Sequence, residues 1–353
     1  MNYKELLDNL IKIIIEEGGS DLHLSAGYNP AIRVNNNLFF LQKINVLTED
    51  DIMGVMTELI NVEYKERFLR DKEVDFSYGT EKIRFRGNCF FSQGTVGISL
   101  RVISKKIKTL RELNLPPILE SFTKKEQGFF LVVGPVGNGK TTTLASMIEI
   151  INQNEASHIV TIEDPIEYVF PKGKSIIDQR EVETDTNDFA TALKSVFRQD
   201  ADVLMIGEMR GLETISTAVT AAETGHLVFS TLHTNDAAQT IDRIIDVFPA
   251  NQQTQIRTQL AGSLLGIFSQ RLVPRISGGV IPAYELLIKN TAVANLIREA
   301  RTYEIPNVIE TGARDGMISL DKSLSELVRV GEITLEDAKR YSLQVDRLDR
   351  MLS

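Results

Sequence analysis

Residues 134–141 read GPVGNGKT, which fits the pattern GxxxxGK(S/T). The apolar run FFLVV precedes it and TTTLASMIEII follows, so the pattern lies between a buried strand and a helix, the context in which it binds phosphate. Gly134, Gly137 and Gly139 let successive backbone N–H groups curl round an anion, with Pro135, Val136 and Asn138 carrying the chain between them. The start of the following helix adds partial positive charge. Lys140 is expected to reach the outer phosphates, and the hydroxyl of Thr141, followed by Thr142, to ligate Mg²⁺. A nucleoside triphosphate such as ATP, with Mg²⁺, is therefore the expected ligand.

From residue 128 onward, buried strands alternate with helices: FFLVV, TTTLASMIEII, HIVTIE, a helix over 189–198, DVLMIGE, a helix over 213–224, and HLVFSTL. This alternation predicts an α/β domain with a parallel sheet covered on both faces. After residue 249 the pattern reads as wholly helical, with a long helix over 252–270 and shorter ones near 293–301 and 322–330. Residues 1–104 read differently, as an amphipathic helix, short alternating segments, a helix over 49–59 and paired strands around 82–91 and 96–103. That is a small α+β domain. The stretch SKKIKTLRELNLPP ends in a Pro-Pro pair, which favours an extended connection and puts a linker at 105–117. The second domain then runs over 118–353, with its helical part from about 250 onward.

A triphosphate site also needs a group to activate water and an acid to hold the metal, usually at the carboxyl ends of neighbouring strands. Glu163 ends one apolar strand and Glu208 closely follows another. We assign Glu163 to the water and Glu208 to Mg²⁺, with exchanged roles as the alternative. His226 and His233 bracket the strand LVFSTL, and His233 opens a polar loop from which it can contact a γ-phosphate. In the first domain, Arg84, Arg86 and Arg101 lie on two paired strands. A guanidinium on a separate domain can neutralise transition-state charge from across a subunit boundary, or it can simply face solvent.

The 48 acidic and 39 basic residues give a formal net charge of −9, which disfavours non-specific binding of nucleic acid. The single cysteine, Cys89, can form neither an internal disulfide nor a multi-cysteine metal site and reads as a buried structural thiol. No apolar stretch approaches the roughly 18 residues of a membrane span. The N-terminal helix is expected to pack on its own domain.

The segments GPVGNGKTT, HIVTIEDPIEYVF, QREVETDTNDFATALKSVFRQDADVLMIGEMR and GHLVFSTLHTNDA resemble the P-loop, Asp box, Walker B and His box of the secretion ATPases. SDLHLSAG near the start and NLIREARTYEIPNVIETG near the end extend the resemblance over nearly the whole chain. Within that superfamily the chain is similar to the retraction ATPases of type IV pili. Extension and type II secretion relatives carry an added N-terminal domain and a four-cysteine zinc module, which a chain with one cysteine cannot build. The resemblance implies a PAS-like first domain, a RecA-like second domain, and a homohexamer that turns ATP hydrolysis into domain rotation. It further implies a cytoplasmic protein, peripheral to the inner face of the cytoplasmic membrane, acting on an inner-membrane pilus platform protein, with a paralogous pilus ATPase as a candidate partner. By the same resemblance Glu163, Glu208, His226 and His233 are site residues, and Arg86 and Arg101 are arginine fingers. Two positions depart from the family: Ala294 stands where an arginine is usual, and Gly211 follows GEMR in place of an acid. Three other readings stay open, namely pilus extension or type II secretion, a RecA-like nucleic-acid motor, and a non-hydrolysing regulator.

Overall fold

The computed structural model describes residues 2–34, 37–80, 83–103 and 106–352. The chain divides into two compact units, one of residues up to 106 together with 167–169, the other of 107–166 and 170 onward. The expected domain edge at 104, the first linker residue 105 and the expected strand start at 82 lie outside the described residues.

In the first unit, α1 (Tyr3–Glu16) starts at Asn2, whose side chain accepts the Glu5 N–H, and turns Leu7, Leu10, Ile11 and Ile14 inward. Next come β1 (Asp21–Ser25), β2 (Ala31–Val34) and β3 (Asn37–Phe40). Then follow α2 (Glu49–Leu59), closed by a Thr48/Asp51 capping box, and α3 (Val62–Asp71). β4 (Glu73–Gly79), β5 (Arg84–Ser92) and β6 (Thr95–Ile103) complete a sheet of order β3-β2-β1-β6-β5-β4. Alternation splits its faces. Leu22, Leu24, Ile32, Val74, Phe85, Cys89, Ile98 and Leu100 pack with the three helices. The other face carries a register row running Ser77, Arg86, Arg101, Asp21 and Arg33 across five strands.

In the second unit, α4 (Glu120–Thr123) precedes β7 (Gly128–Val133), α5 (Lys140–Asn154), β8 (His158–Glu163), β9 (Ile176–Glu181) and α6 (Phe189–Val196). β10 (Val203–Ile206), α7 (Leu212–Glu223), β11 (Leu227–Leu232), α8 (Ala237–Asp246) and α9 (Ala250–Ser263) follow. With β12 (Leu264–Pro274) and β13 (Val280–Ile288), the sheet order is β13-β12-β7-β11-β10-β8-β9, with parallel pairing from β12 through to β9. β7 is buried along its whole length because its residues feed two cores. Phe129, Leu131 and Val133 pack in the cluster that holds α6 to α10, while Phe130 and Val132 pack with Leu144, Met147, Ile148 and Ile151 of α5. The fold is α/β, with helices on both faces of a mainly parallel sheet in the second unit and an antiparallel sheet in the first.

The region after residue 249 is not wholly helical. α9 ends at Ser263, and the chain continues directly into β12 (Leu264–Pro274), which pairs with β7 and with β13 (Val280–Ile288). The expected 252–270 helix joined a real helix to a nearly continuous apolar run, and such a run fits a buried strand as well as it fits a helix. At Gly266 a Cβ would lie 2.8 Å from the Leu287 carbonyl, and the register shifts between Leu264 and Gly266. The remaining helices are α10 (Thr291–Arg298), α11 (Ile305–Thr311), α12 (Leu320–Arg329), α13 (Leu335–Tyr341) and α14 (Val345–Leu352). The segment 107–117, expected as an extended connection, is packed: Leu110 and Leu115 are buried in the core under α5.

Candidate nucleotide site

Parallel strands deliver their following loops to one edge of a sheet, so strand order dictates what meets there. Along the carboxyl edge of the second unit the order is Gln270 on β12, the phosphate loop after β7, His233 after β11, Glu208 after β10, and Glu163 at the end of β8. With strands about 4.8 Å apart, Glu208 is roughly 10 Å and Glu163 roughly 14 Å from the axis of β7.

The loop turns on glycines. Gly137 and Gly139 have φ of 77° and 75°, and Gly139 caps α5 in the left-handed conformation. Gly134 has φ 144°, and a Cβ there would stand 2.3 Å from the Gln270 carbonyl oxygen. β12 fixes the loop through side chains as well. Gln270 Nε2 donates to Asn138 O at 2.8 Å, Thr143 Oγ1 donates to Gln270 Oε1 at 2.7 Å, and Leu272 N–H donates to Asn138 Oδ1 at 2.8 Å. Gln270 and Thr143 are buried, so each bond replaces one that water would otherwise make. Sequence reasoning missed Gln270 because it placed the residue at the end of a helix.

The Lys140 ammonium is buried against the loop. Its Nζ donates to Gly134 O and Pro135 O, both at 2.9 Å, and lies 3.3 Å from His233 Nδ1. An ammonium has only donors, so Nδ1 is the acceptor and the His233 proton sits on Nε2. That Nε2 lies 3.8 Å from Glu208 Oε2, while Glu208 Oε1 pairs with Arg210 at 2.7 Å. Burial, followed by the Lys140 charge and opposed by Glu208, lowers the His233 pKa from its ordinary value and so favours the neutral ring. Lys140, His233 and Glu208 thus form a chain of contacts from the phosphate loop to the strand beyond it.

Glu163 is 3% exposed, and its Oε1 accepts the Thr161 hydroxyl at 2.7 Å and the Gln179 amide at 3.2 Å. Thr141 and Thr142 occupy the first turn of α5. His226 is not brought to this edge. It precedes β11, its N–H and Nδ1 both meet Ala221 O, its ring stacks edge-on with Phe197, and six strand residues, roughly 20 Å, separate it from His233.

A further pocket of about 180 Å³ adjoins the loop. Leu113, Leu115, Leu272 and Pro282 provide apolar walls, Gly139 and Thr142 reach it from the phosphate side, and Lys108 and Glu112 are its charged residues. Apolar walls with a few polar groups suit a base and its sugar. Gly211 is the N-cap of α7 without a side-chain bond, a substitution for an acid that costs a helix only a few tenths of a kcal/mol. Ala294 is buried in α10.

Arg86 and Arg101 lie in the first unit as register partners on its polar face. The Arg101 side chain is 73% exposed, with Nε 2.8 Å from Oδ1 of Asp21, a carboxylate that is itself nearly buried. That contact leaves the two terminal nitrogens of the guanidinium for another acceptor.

Residues 2–312 match the family described as type II/IV secretion system protein. The chain is 42% identical over 336 residues to the type IV pilus retraction ATPase PilT of Pseudomonas aeruginosa, covering 94% of this chain and 97% of that one. It is 44% identical over 315 residues to a twitching motility protein of Neisseria gonorrhoeae, covering 88% and 83%. A crystal structure of the pilus retraction motor PilT with bound ADP has a TM-score of 0.91 to it at 45% identity, covering 97% of this chain and 98% of that one. With the phosphate loop, its lysine and the strand-end acids on one sheet edge, and with similarity over almost its full length, the chain belongs to the type II/IV secretion system protein family.

Proposed function

We propose that this chain is a motor that hydrolyses ATP to ADP and phosphate and uses the energy to retract type IV pili. The observation that carries the reading is the Lys140–His233–Glu208 chain at the phosphate loop, in a protein that shares 42% of its residues with a retraction ATPase over 94% of its length. In this reading the loop amides and Lys140 hold the β- and γ-phosphates, and the pocket beside Leu272 takes the base. Glu163 orients or deprotonates the attacking water. His233 senses loss of the γ-phosphate through its contacts with Lys140 and Glu208. The Thr141 hydroxyl and the Glu208 carboxylate are hard oxygen donors that would hold Mg²⁺, which neutralises phosphate charge when bound. Among the described residues no cluster of three or more His, Cys, Asp or Glu would hold a metal unaided, which fits an ion that arrives with the nucleotide.

Arg86 and Arg101 are assigned as fingers that a neighbouring copy supplies to this site within a homohexameric ring, whose work acts on an inner-membrane platform protein. No described helix is long and apolar enough to cross a membrane; the reading places the motor at the cytoplasmic face of that membrane. The test has two arms. Purified chain should release phosphate from ATP, Lys140→Ala should lose nucleotide binding, and Glu208→Gln should bind but turn over at least a hundredfold more slowly. A deletion strain should carry long pili and fail to twitch. Absence of turnover in the wild type would favour a regulator, and a deletion strain without pili would favour extension.

A further inference from the structure

A second concavity opens on the far side of His233. It measures about 460 Å³; Arg210 from the loop after β10, His233 and Asn235 from the loop after β11, and Gln239 and Arg243 from α8 lie on its polar side, and Ile215, Leu232 and Val247 are among its apolar residues. Its charged residues are Arg210 and Arg243, and no carboxylate lines it. Arg243 is exposed and makes no ion pair among the described residues. Gln239 and Arg243 are four residues apart and share one face of α8. Gln239 Oε1 accepts the Asn235 N–H at 2.7 Å, which fixes the side chain and leaves its –NH₂ as a donor. His233 lines this pocket and also touches the phosphate loop, its Nδ1 lying 3.3 Å from Lys140 Nζ.

A concave site that sets the Arg243 guanidinium and the Gln239 amide beside Arg210, whose guanidinium also pairs with Glu208, offers charge-assisted donors to a small oxyanion. In the ATPase reading, hydrolysis produces one such anion at the phosphate loop, which His233 also touches. Attack of water forms the new O–P bond and breaks the bond from the γ-phosphorus to the bridging oxygen, leaving ADP in the loop and inorganic phosphate beside His233. With ADP held, in that reading, by its β-phosphate and base, phosphate would need a separate way out. We propose that this pocket is a transient inorganic-phosphate site through which the cleaved phosphate leaves past His233, with Arg243 as its outer ligand. The proposal rests on the ATPase reading above.

The full chain, saturated with ADP, is titrated with inorganic phosphate while ³¹P line broadening is followed, and phosphate and ADP are each measured as inhibitors of steady-state turnover. Arg243→Gln should weaken phosphate binding and phosphate inhibition about tenfold, with Arg243→Lys in between, because one charge-assisted contact is lost or kept as a point charge. ADP inhibition should not change. Equal phosphate affinity in Arg243→Gln and wild type overturns the proposal. So does a parallel loss of ADP affinity, which would make Arg243 a support of the nucleotide site. A change in assembly state by light scattering would overturn it too, since the pocket would then seat a group from a second copy. Because the broadening needs no turnover, an inactive wild type with Arg243-dependent broadening would sink the hydrolysis reading while keeping the pocket.

Discussion

Gln270 accepts the Thr143 hydroxyl at 2.7 Å, so a residue of β12 grips the first turns of α5 directly beneath the phosphate loop. The same amide donates to Asn138 O, which ties one side chain to both the loop and the helix that follows it. Gln270→Leu would strand a loop carbonyl, at about 1–3 kcal/mol, and leave the buried Thr143 hydroxyl with only its 3.2 Å bond to Gly139 O. We expect nucleotide affinity to fall at least tenfold in isothermal titration, with a loss of a few kcal/mol in urea denaturation. Gln270→Glu should do worse, because it adds negative charge beside the phosphates. Unchanged affinity in Gln270→Leu would remove β12 from the site.

The Asp21–Arg101 pair invites a separate measurement. Asp21 is nearly buried and holds Arg101 by Nε, which fixes the fork at that nitrogen and leaves its two terminal nitrogens for another acceptor. If Arg101 acts on a nucleotide bound by a neighbouring copy, Asp21→Asn should lower kcat several-fold with little effect on KM, because the aim and not the charge of the guanidinium is disturbed. Arg101→Ala should lower kcat further, by roughly a hundredfold or more. A proportional loss of kcat and thermal stability in Asp21→Asn would indicate a purely structural pair.

Cys89 gives a simpler expectation. The thiol is wholly buried on the core face of β5, and burial pushes its pKa up to about 12. Only the thiolate reacts, so Cys89 should resist a maleimide or a disulfide reagent in the folded protein and react in urea. Prompt labelling under native conditions would show that β5 opens.

What could be read in advance follows the range of the interactions. The phosphate loop is a local pattern, and Glu163 and Glu208 stand out because each lies at the end of an apolar strand, so all were legible without a partner sequence. β12 was not, because LLGIFSQRLV has the periodicity of neither element, and only pairing with β7 and β13 makes it a strand. With β12 misread, the Gln270 grip on the loop was out of reach, as it joins residues 127 and 132 positions apart. His226 and His233 look equivalent when they bracket a strand, yet strand direction separates them: one leads into β11 and the other leaves it at the phosphate edge. The Arg86–Arg101 pairing was legible as two neighbouring strands, while the Asp21 contact needed β1 to pair with β6.

Glu285 supplies a pH dependence of stability. It lies on β13, is almost wholly buried, and accepts the Ala237 N–H at 2.8 Å at the start of α8. Burial, helped by the nearby Asp236 and Asp321 and opposed by the Ala237 N–H and Arg271, lifts its pKa from the ordinary 4.5 to about 7. The native state therefore keeps this proton more tightly than the unfolded chain. Its stabilising contribution is fully present below pH 4.5 and is lost as the pH rises to and through about 7. Glu285→Gln keeps an acceptor for Ala237 and cannot ionise, so its stability relative to wild type should rise between pH 5 and pH 8. The full effect is on the order of 3 kcal/mol, read from urea midpoints. A difference between the two proteins that stays constant across that window would mean that Glu285 already carries its charge at the helix terminus, stabilised there by the α8 dipole.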